Sequence, residues 1–184
     1  MERFRYEDGS LEEIRSWLKA HIDKGAECPC CNQVVKLYKR RLNKSMAAVL
    51  ALIYRWERNR QKALEAGTAT AEQLIPFVHV PSLIAELGAQ NPRQAAALRG
   101  DFAKLKHWGL LEQMPAKRDD GSKRTGYWKI TERGTQFMRG QIKVEAYVWI
   151  YNEAVITTRP VLELVTIREA LKTTFNYQDL MDGR

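Results

Sequence analysis

The chain has 184 residues, 45% of them hydrophobic, and carries a net charge of +8 from 30 Lys/Arg against 22 Asp/Glu. That length allows one domain with appendages or two small domains. No apolar run approaches the ~18 residues of a membrane span, and the start, MERFRYEDGS, lacks a signal-peptide pattern. Three cysteines crowded at positions 28, 30 and 31 exclude a disulfide framework, so a cytoplasmic protein with no membrane partner is expected.

The positive charge is unevenly spread. Residues 1–31 hold five Lys/Arg and seven Asp/Glu, a balance of −2. Residues 32–140 hold twenty and nine, or +11, and residues 141–184 hold five and six, or −1. A basic middle is the electrostatic footprint of a polyanion binder, although such a surface also simply solvates a protein.

Ser10 to Ile22 reads as an amphipathic helix. Ser10 and Glu13 have capping-box spacing, Leu11, Ile14, Leu18 and Ile22 share a face, and Trp17 extends it. Its apolar face needs a docking surface, either its own domain or a second subunit in a homodimer. Next comes Cys28-Pro29-Cys30-Cys31-Asn32, whose C-P-x-C spacing resembles the knuckle of zinc ribbons, with Asn32 at the usual glycine position. Structural zinc takes four ligands, and no second C-x-x-C exists. Cys30 or His21 would have to join Cys28 and Cys31, with a fourth ligand from Glu27, His79, His107 or a second subunit. Zinc, a metal-free small cluster, and a redox pair all stand as readings here.

Five positive charges follow within nine residues, Lys36, Lys39, Arg40, Arg41 and Lys44, with Tyr38 interleaved. The run reads either as a solvated face or as a contact to backbone phosphates. Asn43 to Ala66 is the longest helix, with a buried stripe of Met46, Val49, Leu50, Ile53 and Trp56 or Leu64, stopped by Gly67. Val78-His79-Val80 is a short strand, and a lone histidine there reads as structural or surface-facing. Pro81 starts a helix through Leu87, and Gly88 to Asn91 forms a turn.

Asn91 then caps a helix with Pro92 in its first turn and Gln94 at capping-box spacing. Leu98, Phe102 and Leu105 line its buried face, and Gly109 ends it after Trp108. Leu110 to Lys117 and Gly126 to Ile130 are paired strands around Asp120-Gly121, a hairpin signal. Thr131 caps a closing helix through Arg139. From Lys143 to Tyr151 the chain alternates Val144, Ala146, Val148 and Ile150 with Tyr147, Trp149 and Tyr151, so a strand covered on both faces is expected. Asn152-Glu153 is a turn, Ala154 to Thr158 and Val161 to Val165 are further strands, Thr166 and Glu169 cap a helix, and Asn176 caps a last turn.

The half-motif KLKHWGLLE, a charged turn, then GYWKITERG resembles the recognition helix, wing and closing helix of winged-helix (winged helix-turn-helix) DNA-binding domains. The likeness spans residues 43–140 and extends in a general way to uncharacterised phage and prophage proteins. It implies an α+β fold with a winged helix-turn-helix core. Residues 1–42 would hold the N-terminal helix, knuckle and basic segment, and residues 141–184 a small α+β appendage. The helix from Pro92 to His107 would enter the major groove, exposing Arg93, Gln94, Ala97, Gly100 and Lys104. Lys117, Arg118, Lys123 and Arg124 of the wing would reach phosphates or the minor groove, as would Lys39, Arg40 and Arg41.

No P-loop, G-x-G-x-x-G, H-E-x-x-H or G-x-S-x-G occurs. The acid pairs Glu12-Glu13 and Asp119-Asp120 have structural explanations in a helix cap and a turn. The expectation is a non-enzymatic regulatory or accessory protein acting on double-stranded DNA, with zinc as the one candidate cofactor. The alternative is an interaction module that binds a host protein through the same scaffold.

Overall fold

The computed structural model describes residues 10–68, 70, 76–90, 98, 102–115, 126–157, 159–161, 163–172 and 177–178. They form a mixed α+β chain of several helices and small sheets of two or three strands. Two compact units result, one from residues 1–40 and 147–160, the other from residues 41–146 and 161–184. The segment 141–184 is thus divided between them. No helix among the described residues is long and apolar enough to cross a membrane.

In the first unit, helix α1 (Leu11–His21) starts at the expected capping box. The Ser10 backbone N–H donates to the Glu13 carboxylate at 2.6 Å, and the Ser10 hydroxyl accepts from the Glu13 N–H at 3.3 Å. Ile14 and Leu18 bury against Ala26, with Trp17, Cys28 and Val35 packed alongside. Leu11 departs from the expected stripe. It stands 64% exposed in the first helical turn, since burial on that face begins only at Ile14. Strands β1 (Ala26–Glu27) and β2 (Val34–Val35) pair antiparallel around the cysteines. Strand β3 (Tyr38–Arg41) heads a second sheet, whose order is completed below.

The second unit is built on α2 (Lys44–Glu65). Asn43 caps it, its side-chain oxygen accepting from the Met46 N–H at 2.9 Å. Every residue from Met46 to Tyr54 is buried. The expected stripe was therefore too narrow. A helix surrounded by other elements needs apolar or small residues on every face, and Ala47, Ala48 and Ala51 fill the positions a one-sided helix would give to polar groups. Trp56 and Leu64 are only half-buried.

Strand β4 (Val78–His79) leads into α3 (Val80–Gln90), which takes Pro81 into its first turn. The helix runs through Gly88 rather than stopping there. One interior glycine costs a helix only about 1 kcal/mol, too little by itself to end it. A short 3-10 helix spans Phe102–Trp108, and Gly109 closes it at φ +66°. Strands β5 (Leu111–Gln113) and β6 (Tyr127–Ile130) pair antiparallel with Leu111 opposite Ile130 and Gln113 opposite Trp128. Strand β4 pairs with the other edge of β6, giving the order β4-β6-β5. Helix α4 (Glu132–Met138) begins at Thr131, whose hydroxyl accepts from the Gly134 N–H at 3.0 Å.

The long strand expected from Lys143 is broken at Ala146. Its carbonyl accepts from Leu42 and its N–H donates to Glu163, both at 2.9 Å, so it serves two neighbours at once. On either side lie β7 (Val144–Glu145) and β8 (Tyr147–Tyr151). Asn152 and Glu153 both take positive φ, the geometry of a tight hairpin turn, and β9 (Ala154–Val155) returns along β8. The second sheet of the first unit is ordered β3-β8-β9. Strand β10 (Leu164–Val165) instead pairs with β7, and α5 (Ile167–Leu171) follows from the Thr166/Glu169 capping box and packs on α2.

Candidate nucleic-acid interface

Strands β5 and β6 flank the basic segment in sequence. Gln113 faces Trp128, and the Met114 N–H donates to the Tyr127 carbonyl at 3.0 Å. The intervening residues connect the two strands at that end. Lys117, Arg118, Lys123 and Arg124 fall among them and lie outside the described residues, as do Arg93, Gln94, Ala97 and Gly100.

What is described is the seating of these segments. Leu98 and Leu105 are fully buried, and Phe102 meets Trp128 edge-on with ring centroids 5.9 Å apart. The face assigned to burial between Pro92 and His107 is thus buried at Leu98 and Leu105 and half-buried at Phe102. Lys104 is half-buried on the 3-10 helix. The Trp108 indole donates to the Glu145 carbonyl at 2.6 Å, and Arg133 donates to the Trp108 carbonyl at 3.0 Å and to the Glu145 carboxylate at 3.2 Å.

Those contacts reduce the charge available to a partner. Arg133 belongs to this internal tie. Lys129 pairs with Glu112 at 2.6 Å, and Arg60 grips Glu57 through two nitrogens at 2.6 and 2.7 Å. Arg139 donates to the Tyr54 hydroxyl at 3.2 Å. Net charge counted along the sequence includes these cations, whose partners sit in distant segments or on the next helical turn. His79 is structural in the sense expected of it. It hydrogen-bonds with the Ser82 hydroxyl at 2.7 Å and leans on the Tyr127 ring at 4.9 Å.

In the first unit the basic run forms the edge strand β3, with Lys39, Arg40 and Arg41 all exposed. The Lys39 ammonium lies 4.3 Å from the Tyr147 ring centroid and 5.4 Å from that of Trp149. The two faces of strand β8 are covered unequally. Val148 and Ile150 are buried, whereas Tyr147, Trp149 and Tyr151 are half-buried, with Lys39 beside the Tyr147 and Trp149 rings. Sequence reasoning missed this face because aromatic residues alternating with aliphatic ones read the same whether a layer or a lysine covers them.

The cysteines form a tight knuckle. The Cys28 N–H donates to the Gln33 carbonyl and the Asn32 N–H to the Cys28 carbonyl, both at 2.8 Å, with Asn32 at φ +57°. The Cys28 thiol is held below its ordinary pKa by the backbone N–H of Cys30 first and of Cys31 next. None of the three cysteines is in a disulfide, and Cys30 and Cys31 are exposed. This backbone suits two thiolates aimed at one ion. Among the described residues, no group of three or more His, Cys, Asp or Glu side chains that could hold a metal ion is found. His21 stacks on Trp17 at 4.5 Å and donates through Nδ1 to the Trp17 carbonyl at 2.8 Å.

No family model, curated protein or solved structure matches the chain.

Proposed function

We propose that the second unit is a winged-helix domain that binds double-stranded DNA in a regulatory or accessory role, as a protein of phage or mobile-element type. The observation that carries this reading is the three-stranded order β4-β6-β5, with the buried Leu98 and the 3-10 helix that buries Leu105 preceding β5 in the chain and the Thr131-capped α4 following β6. In that arrangement the β5-β6 connection is the wing and the helix from Pro92 to His107 is the reading helix. The balance of +11 over residues 32–140 supports a polyanionic partner.

Replacing both Lys123 and Arg124 with Ala should weaken binding to all duplexes alike, because phosphate contacts carry little sequence information. The slope of log affinity against log salt should fall by up to about 2 units. Gel shifts of random duplex at several salt concentrations read this directly. An unchanged slope would take the wing out of the interface.

The ties at Arg60, Arg133 and Lys129 favour a second reading, an interaction module for a host protein, since they leave fewer cations for phosphates. Under that reading generic duplex stays unbound even at low salt.

The Cys28 knuckle supports a zinc site completed in trans, with Cys28 and Cys31 from each of two copies supplying four thiolates. Protein prepared without chelator should then carry about one zinc per two chains, and Cys28→Ser should release it. Metal analysis that finds none, or a full zinc per monomeric chain, would end this idea.

A further inference from the structure

We propose that the Tyr147, Trp149 and Tyr151 face of the β3-β8-β9 sheet is a second nucleic-acid site, one that stacks the bases of single-stranded DNA. Strand alternation puts these three side chains on one face, opposite the buried Val148 and Ile150. All three rings are half-exposed. Cations stand over two of them: Lys39 over Tyr147 and Trp149, and Arg159 at 5.8 Å from the Trp149 centroid while also paired with Asp23. The other face of edge strand β3 repeats the pattern, with Lys36 and Arg40 each 5.2 Å from the Tyr38 ring, itself 41% exposed.

Aromatic faces interleaved with cations match the two parts of a single strand, bases that stack and phosphates that repel one another until neutralised. Lys39 has a long flexible stem on an exposed strand. A base that takes its place over the rings leaves the ammonium free to reach the adjoining phosphate, and stacking on an aromatic ring outweighs an exposed cation–π contact. A duplex cannot use the surface this way because its bases are already stacked on each other. An acidic peptide would use the cations and leave the rings idle. Choosing DNA over RNA rests on the duplex reading above; the stacking argument stands on this sheet alone.

The test uses the full chain and a fluorescent twelve-residue oligo-dT, followed by anisotropy at low salt. The wild type should bind it, and Trp149→Ala and Lys39→Glu should each weaken binding by about tenfold or more. Trp149→Ala should keep the wild-type affinity for duplex. A strand of the same length and charge made of abasic sites should bind far more weakly to the wild-type protein, a comparison that needs no variant to fold. Equal binding of the abasic strand would overturn the proposal by leaving phosphates alone in the contact. Preference for an oligo-Glu peptide would overturn it in favour of a protein partner, and preference for oligo-U in favour of RNA. Oligo-dT binding by a chain that ignores duplex would uphold this site while removing the reading given for the second unit.

Discussion

Gly134→Ala is expected to destabilise the unit of residues 41–146 and 161–184 by at least about 2 kcal/mol, against the direction that helix propensity alone predicts. A Cβ on Gly134 would lie 2.3 Å from the Leu110 carbonyl oxygen and 2.7 Å from Ile130 Cγ1. The Leu110 oxygen is pinned, because it accepts the Thr131 N–H at 3.2 Å. Moving it apart from α4 would therefore disturb the cap that starts this helix. Ala in place of Gly in a helix gains about 1 kcal/mol. Overpacking costs about 1–3 kcal/mol, and more when the opposing atom is backbone with no rotamer to change. The clash wins, and a fall in melting temperature of about 4–8 °C should follow for a chain of this size. Circular dichroism melts of the two proteins decide it. An unchanged or raised midpoint would mean that α4 does not approach Leu110 this closely.

Leu98→Ala should cost about 2–5 kcal/mol, since Leu98 is fully buried and its removal leaves a cavity. Arg93→Ala, five residues earlier, should leave stability within about 0.5 kcal/mol of the parent if it is a surface residue of the reading helix. The two variants thus separate fold from recognition. In a site selected from random duplex, Arg93→Ala should relax preference at one base pair, by the roughly 1–3 kcal/mol of an arginine–guanine contact. Leu98→Ala should lose duplex affinity only through loss of folded protein, and recover it when binding is measured well below its melting point. A folded Arg93→Ala protein with unaltered preference would remove Arg93 from base reading. A Leu98→Ala protein as stable as the parent would contradict the burial on which the helix's orientation rests.

Much of the local grammar was legible in the residues themselves. The caps at Ser10, Asn43, Thr131 and Thr166, the close at Gly109 and the turn at Asn152-Glu153 all depend on atoms within a few residues of one another, and each lies where short-range chemistry puts it. The burial of Leu98 and Leu105 followed from helical period for the same reason.

What the sequence determined by itself is therefore the capped starts of the helices, the turns at Gly109 and Asn152-Glu153, and the basic character of the middle of the chain, but not the end of α3 or the break of the long strand at Ala146. Tertiary structure alone decided which strands pair, since β10 joins β7 rather than its chain neighbours and β3 joins β8 across more than a hundred residues. It also decided that α2 is buried on every side from Met46 to Tyr54, that Gly134 must lack a side chain, that Arg133 is spent on Trp108 and Glu145, and that Lys39 lies beside the Tyr147 and Trp149 rings of β8. Each of these depends on a partner far away in sequence, and periodicity reports how a segment divides its own faces without reporting what arrives to cover them.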